Sequence, residues 1–366
     1  MNLKLGRNAL SAFVGVAMIA GCASQTQVVP QSATIGSAAQ WGDAIPACGG
    51  SRIGQAQCGV LVETGSVHPN YSGWTAAKLE KAYNLPSSSK GKGQVVAVVD
   101  AYDNPDVAKD LAQYRSMMGL PKAHFNKFNQ DGVKGHYPAG NQGWGVEIDL
   151  DAQMVSASCP NCTIDLIEAN SNLWNDLYAA EKEAVKLGAT ILSNSYSGSG
   201  GNCSAFETKG VTYLASAGDD GFGIQAPAAC DDVVAVGGTQ LTPCNNKRGF
   251  CETIWSNSGG GCSAEPKPPW QHDTTCDYRL ANDVAAVASG VAEYDTYGQG
   301  AWISVDGTSI SSPLVAGVFG LAENSTHQKG GRTFWQAAHH KYLYKIAKTR
   351  YTEQGGWGSP KGIGAF

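Results

Sequence analysis

The sequence predicts an α/β domain, a mostly parallel twisted sheet flanked by helices on both faces. Three observations carry this. The first is Gln94-Val95-Val96-Ala97-Val98-Val99-Asp100, an unbroken apolar run that leads into a helical pattern from Asp106 to Met118. The second is its recurrence, with similar runs at Thr163 to Glu168, Thr190 to Ser195, Val211 to Ser216 and Asp232 to Gly237. The third is the amphipathic helix pattern of Ser171 to Leu187 between two of those runs. Strands buried on both faces read as continuous apolar runs, and parallel neighbours need helical crossovers. A doubly wound sheet of this kind carries its sites at the carboxyl ends of its strands.

The chain opens on a targeting pattern. Lys4 and Arg7 form a basic start, and Ala9 to Ala20 is an apolar run too short to span a bilayer as a settled helix. It ends in Ile19-Ala20-Gly21-Cys22, which resembles a bacterial lipobox and implies cleavage before Cys22 and lipidation there. Residues 1–21 are thus read as a lipoprotein signal peptide. Residues 22–41, small and polar, are read as a flexible tether. Residues 42–72 form a short N-terminal segment with little periodicity, and residues 73–366 the main domain, whose first helix is expected from Trp74 to Tyr83. The expected location is extracytoplasmic, on a bacterial outer membrane or cell surface, held by the lipid at Cys22.

Charge excludes one class of partner. With 26 Lys+Arg against 31 Asp+Glu and no basic stripe, nothing suggests nucleic acid. Glycine, at 46 of 366 residues against a typical ~7%, has no fixed period and points to many tight turns. Setting Cys22 aside leaves ten cysteines, an even number that in an exported chain reads as disulfides. Pairing them in sequence order gives five local loops and is the simplest arrangement, although sequence alone does not determine connectivity. Cys159-Pro160-Asn161-Cys162 is read as a structural staple, since no thioredoxin-like pattern surrounds it and no histidine cluster completes a zinc site. Residues 238–300 read as loop-rich.

Chemistry points to Gly307-Thr308-Ser309-Ile310-Ser311-Ser312-Pro313, which joins the apolar run Ala301 to Val305 to a helical pattern. Small residues at a helix start admit a substrate, and the N–H groups and dipole there favour developing negative charge. Pro313 is expected near the first turn, where few N–H groups have partners. A subtilisin-type arrangement would add a strand-end aspartate, for which Asp100 is available. It would also need a histidine in an H-G-T segment, and none of the seven histidines is followed by Gly-Thr. At the place for that histidine stands Trp144-Gly145-Val146-Glu147-Ile148-Asp149-Leu150-Asp151-Ala152-Gln153-Met154. Glu147 and Asp151, four apart, share one helix face, whereas Asp149 points elsewhere.

Here the chain resembles the sedolisin, or serine-carboxyl peptidase, family, with a subtilisin-like fold, from about Tyr71 onward. The resemblance rests on an ordered set: Glu147-Ile148-Asp149-Leu150-Asp151, Ser193-Asn194-Ser195-Tyr196, Ala215 to Gly221, Glu252-Thr253-Ile254-Trp255, Gly259-Gly260-Gly261 and Gly307-Thr308-Ser309. It implies Ser309 as nucleophile, Glu147 as general base and later acid, Asp151 as the group that orients Glu147, and Asp219 as a neutral oxyanion donor, with Asp220 the competing choice. It further implies that Ser193, Asn194, Ser195 and Tyr196 form an edge for substrate backbone. The implied activity is acid-favoured endopeptidase hydrolysis of proteins or peptides. A surface-binding lipoprotein that has kept the fold without catalysis is the alternative.

Two departures accompany the resemblance. Only about fifty residues separate Cys22 from the catalytic region, so the family's long propeptide domain is not expected. The family's C-terminal calcium loop also looks altered. Lys345 stands where an aspartate is usual, and Glu353-Gln354-Gly355-Gly356-Trp357 lacks the second aspartate. No metal or cofactor is therefore expected, and the Lys345 ammonium is expected to donate to the carbonyls left without an ion.

Overall fold

The computed structural model describes residues 44–65, 73–325 and 330–366. The signal segment, the tether and Cys22 lie outside the described residues, as do residues 42–43 and 66–72 of the short N-terminal segment. Among the described residues no helix is long and apolar enough to cross a membrane.

Three short strands come first: β1 (Ala44–Pro46), β2 (Gln57–Cys58) and β3 (Leu61–Glu63). The main alternation follows as α1 (Ala76–Tyr83), β4 (Val95–Ala101), α2 (Val107–Met117), β5 (His124–Asn129), α3 (Gln142–Ser158), β6 (Thr163–Ala169), α4 (Trp174–Lys186) and β7 (Ile191–Asn194). Next are β8 (Tyr196–Ser197), β9 (Thr212–Ser216), β10 (Val233–Pro243), β11 (Phe250–Ile254), β12 (Gly261–Pro266), β13 (Tyr278–Ala281), β14 (Val284–Val287), β15 (Val291–Asp295) and β16 (Ala301–Asp306). The chain closes with α5 (Thr308–Ala322), β17 (Leu343–Tyr344) and β18 (Ser359–Pro360).

The central sheet runs β11-β10-β9-β7-β4-β6-β5, with β14 also on β10. All its pairings are parallel except that of β10 with β11. From β6 the chain passes α4 and crosses to β7 on the far side of β4, so the strand order reverses there. The carboxyl ends of β4 and β7 meet at this switch, where an open α/β sheet leaves a crevice. The move from β4 to β5 and the move from β6 to β7 run in opposite directions across the sheet. Helix α2 packs against α3, while α4 packs on β4 and β6. Helices α3 and α5 pack on each other, and α5 also packs on β4, β7, β9, β10 and β14.

Helix α3 starts at Asn141, whose side chain accepts from the Trp144 N–H at 3.1 Å. From Trp144 to Ser158 every residue is buried, including Glu147, Asp149, Asp151 and Gln153. It is not the half-exposed acidic helix that two like charges at i and i+4 would suggest.

Two expectations, on Pro313 and Lys345, need correction, and several strands went unread. Pro313 lies in the second turn of α5, not near the first. Its missing N–H would have bonded the Ser309 carbonyl, which instead lies 3.3 Å from the Ser195 hydroxyl. Residues 238–300 are loop-rich as expected, but β10 continues to Pro243 and five short strands, β11 to β15, punctuate the rest. Short strands interrupted by cysteines, prolines and glycines leave no long apolar run to read. Strand β5 went unread because it is a partly exposed edge without such a run. Lys345 is exposed and, among the described residues, makes no hydrogen bond or ion pair. Nearby carbonyls are satisfied otherwise: that of Gln354 accepts from Asn282 Nδ2 at 2.9 Å and Ser258 Oγ at 3.0 Å.

The five disulfides follow sequence order: Cys48–Cys58, Cys159–Cys162, Cys203–Cys230, Cys244–Cys251 and Cys262–Cys276.

Candidate active site

Strand β16 delivers the chain to Gly307, which takes φ 132°, a value that favours glycine. Thr308 and Ser309 then open α5, so Ser309 sits in a first turn whose N–H groups lack helical partners. Ser309 is fully buried, and its hydroxyl donates to the Ser195 carbonyl at 3.3 Å.

Glu147 and Asp151 come from one face of α3, as their spacing requires. Asp100 joins them from the end of β4. All three are fully buried. Glu147 Oε2 accepts two backbone N–H groups, from Gly59 and Val60, both at 3.0 Å. Asp151 Oδ1 lies 2.7 Å from Ser195 Oγ. Glu147 Oε1, Asp151 Oδ2 and both oxygens of Asp100 have no partner among the described residues.

These carboxyls raise one another's proton affinity. Burial, then the Asp100 charge, pushes Glu147 well above the ordinary range, while the Ser309 hydroxyl and the Val60 N–H pull it down. Burial, then Asp100 and Glu147, raises Asp151, and Ser195 opposes this. Burial alone raises Asp100 to about 7. Three charges cannot share so dry a space, so the group holds protons. Ser195 Oγ also lies 3.3 Å from the Ser309 carbonyl that Pro313 leaves open, so this hydroxyl sits between Asp151 and the backbone of Ser309.

Asp219 follows Gly218 after β9. Its Oδ1 accepts from the Thr308 N–H at 2.7 Å and the Thr308 hydroxyl at 2.9 Å. Its Oδ2 is buried and has no partner among the described residues. A Cβ on Gly307 would lie 3.2 Å from it. Burial raises Asp219 to about 7; the Thr308 bonds oppose this and the charges of Asp220 and Asp306 add to it. Below that pH the free oxygen is the natural place for a proton, and it lies beside Ser309.

The Ser193–Tyr196 stretch divides its tasks. Ser193 Oγ bonds Ser312 Oγ at 2.9 Å, and Asn194 Nδ2 donates to the Leu214 carbonyl at 3.1 Å, so these two tie the sheet to its surroundings. Ser195 links Asp151 to Ser309. The edge that pairs with another backbone is one step on, where Tyr196 and Ser197 form β8. Sequence reasoning missed Thr308, the holder of Asp219. It considered Asp100 only for an arrangement with histidine, although its place at a strand end was the usable signal. No histidine among the described residues hydrogen-bonds Ser309 or Glu147.

The Subtilase family matches residues 137–364. The chain belongs to that family. Within it the similarity is to sedolisin-type proteins. Kumamolisin of Bacillus sp. (strain MN-32) is 26% identical over 283 residues, 66% of this chain and 51% of that protein. Sedolisin of Pseudomonas sp. (strain 101) is 25% identical over 337 residues, 77% of this chain and 56% of that protein. This chain thus spans about half the length of these two relatives. Among solved structures, Pseudomonas sedolisin, a serine-carboxyl proteinase complexed with pseudo-iodotyrostatin, superposes with a TM-score of 0.69 at 22% identity, covering 80% of this chain and 96% of that one. Fervidolysin from Fervidobacterium pennivorans, a keratinolytic enzyme related to subtilisin, gives 0.54 at 15% identity, covering 80% and 45%. The mostly parallel sheet with its helices is the subtilisin-like fold of sedolisin.

Proposed function

We propose that this chain is an acid-active serine-carboxyl endopeptidase that hydrolyses protein or peptide substrates. The observation that carries the reading is the convergence around Ser309 of Glu147 and Asp151 from α3 and of Asp219 from the turn after β9, each fully buried or nearly so. Glu147 takes the Ser309 proton as the hydroxyl attacks the peptide carbonyl, then gives it to the leaving amine. Asp151 shares a proton through the carboxyl cluster and steadies Glu147 as its charge changes. Asp219, protonated at Oδ2, donates to the oxyanion; ionised, it would repel it. Substrate backbone lies along Tyr196–Ser197 as an added strand.

We further propose export under the signal segment and anchoring through a lipid on Cys22, on an outer membrane or cell surface. The lipobox-like ending supports this, and fatty-acid labelling that survives in Cys22→Ser would refute it. Calcium is not part of the proposed machinery, because Lys345 and the Glu353–Gly356 turn offer few carboxylates.

The test is hydrolysis of an unfolded protein by the wild type and by Ser309→Ala from pH 3 to 8. Cleavage in acid that vanishes in the variant is the expected result. Equal cleavage by both would remove Ser309 as nucleophile. Absence of cleavage by every form, including the variants described next, would favour the non-catalytic binding lipoprotein.

A further inference from the structure

The cleft just described is filled by the chain's own backbone. Strand β2 pairs antiparallel with β8, Gln57 opposite Ser197 and Cys58 opposite Tyr196. Strand β3 pairs antiparallel with β16, Leu61 opposite Asp306 and Val62 opposite Val305. Gly59 and Val60 bridge the two strands across the cleft. A Cβ on Gly59 would fall 2.8 Å from Ser309 Oγ and 2.8 Å from Asp219 Oδ2, so only glycine lets the segment pass this close. One on Gly307 would fall 2.4 Å from the Gly59 carbonyl oxygen.

The segment engages the proposed base more fully than one scissile bond would. A leaving amine brings a single N–H to Glu147, whereas here two successive N–H groups share Oε2. The segment is also held from outside the cleft. β1 pairs with β3, the Ala47 N–H donates to the Val60 carbonyl at 3.0 Å, and the Ala56 carbonyl accepts from Asn172 Nδ2 at 2.7 Å. Cys48–Cys58 closes the intervening loop at the residue before Gly59.

We propose that residues 44–63 are an intramolecular inhibitor, a disulfide-clasped strap that covers Ser309 and occupies Glu147. This rests on the peptidase reading of the same site. The disulfide shapes the strap in advance, which lowers the entropy cost of docking it. Without that clasp the strap should leave the cleft more often, and substrate should compete with it.

The experiment compares the full chain with Cys48→Ser/Cys58→Ser, which leaves four disulfides intact, and with Gly59→Val, whose side chain has no room beside Ser309. Amide hydrogen exchange at residues 56–62 reports the strap, and hydrolysis of a fluorogenic peptide in acid reports the site. Both variants should exchange and hydrolyse about tenfold faster than the wild type or more. Agreement of the two guards against misfolding of either. Wild-type hydrolysis equal to that of both variants would overturn the proposal, as would fast exchange of the Gly59 and Val60 amides in the wild type. A wild-type chain that begins at Gly59 or Val60, while Ser309→Ala stays intact, would also overturn it, because the strap would then be consumed as substrate. Faster exchange in the variants without hydrolysis in any form would uphold the strap and sink the peptidase reading.

Discussion

Helix α3 carries two sets of buried carboxyls on different faces, and they are treated differently. On one side Glu147 and Asp151 meet Asp100; on the other Asp149 meets Asp110 and Asp295, with oxygens within 4.8 Å of one another. The second set is almost fully bonded. Asp295 accepts from the N–H groups of Tyr297 at 2.7 Å, Gly298 at 2.8 Å and Gln299 at 3.1 Å. Asp110 accepts from the N–H and hydroxyl of Thr296, and Asp149 from Asn104 Nδ2 at 2.6 Å. These bonds fasten the loop after β15 to α2, and α3 to the connection between β4 and α2. The first set leaves four carboxyl oxygens without partners. Bonded oxygens hold structure, whereas free ones in a dry site hold protons that chemistry can move. Burial on one helix is common to both sets, so it is the unspent oxygens that mark the site.

Substitutions test that contrast. The largest effect is expected for Ser309→Ala, a loss of about a million-fold in turnover. Glu147→Gln should follow, at roughly 10²- to 10⁴-fold, since an amide cannot carry the proton. These losses would be measured on a strap-loosened background, with the melting temperature confirming the fold. Asp219→Asn should cost about tenfold or less in acid, because an amide still donates to the oxyanion. It should also abolish the fall in activity expected of the wild type as pH rises through about 7. A variant profile that falls as the wild type does would exclude Asp219 as the controlling group. Asp149→Asn, on the bonded face, should change turnover by less than about threefold; a loss as deep as that of Glu147→Gln would erase the distinction between the two faces.

Stability provides a further check. Burial raises Asp100 and Asp219 to about 7 and Glu181 to about 8. A carboxyl whose folded pKa is raised stabilises fully below its unfolded value, and the contribution is lost as pH rises through the folded value. The melting temperature should therefore fall from about pH 4 to pH 8, these groups being ordinary near pH 4 when unfolded. A melting temperature that climbs across that range would show that these carboxyls are ionised in the fold. The smallest effect is expected from a calcium chelator, which should leave melting temperature and activity unchanged. A large loss restored by added calcium would reinstate the ion.

Much of this molecule is legible in its sequence, because parallel strands buried on both faces write themselves as unbroken apolar runs. β4, β6, β7, β9 and the first half of β10 stand where the runs do. Glu147 and Asp151 could be placed on one face from helix period alone, and Asp149 away from them. The disulfides could be guessed because each closes a local loop.

Tertiary structure decided what depends on distant neighbours. No local pattern tells that α3 is buried on every side, that Ser195 serves the carbonyl Pro313 leaves open, or that Thr308 holds Asp219. Nor does the aperiodic stretch around Gly59 announce that it crosses the cleft. Its strands are two or three residues long, and it is the pairing of β2 with β8 and of β3 with β16, more than a hundred residues away, that carries it over the cleft. Periodicity records which face of an element is buried, whereas the partner that buries it is chosen only when the chain closes on itself.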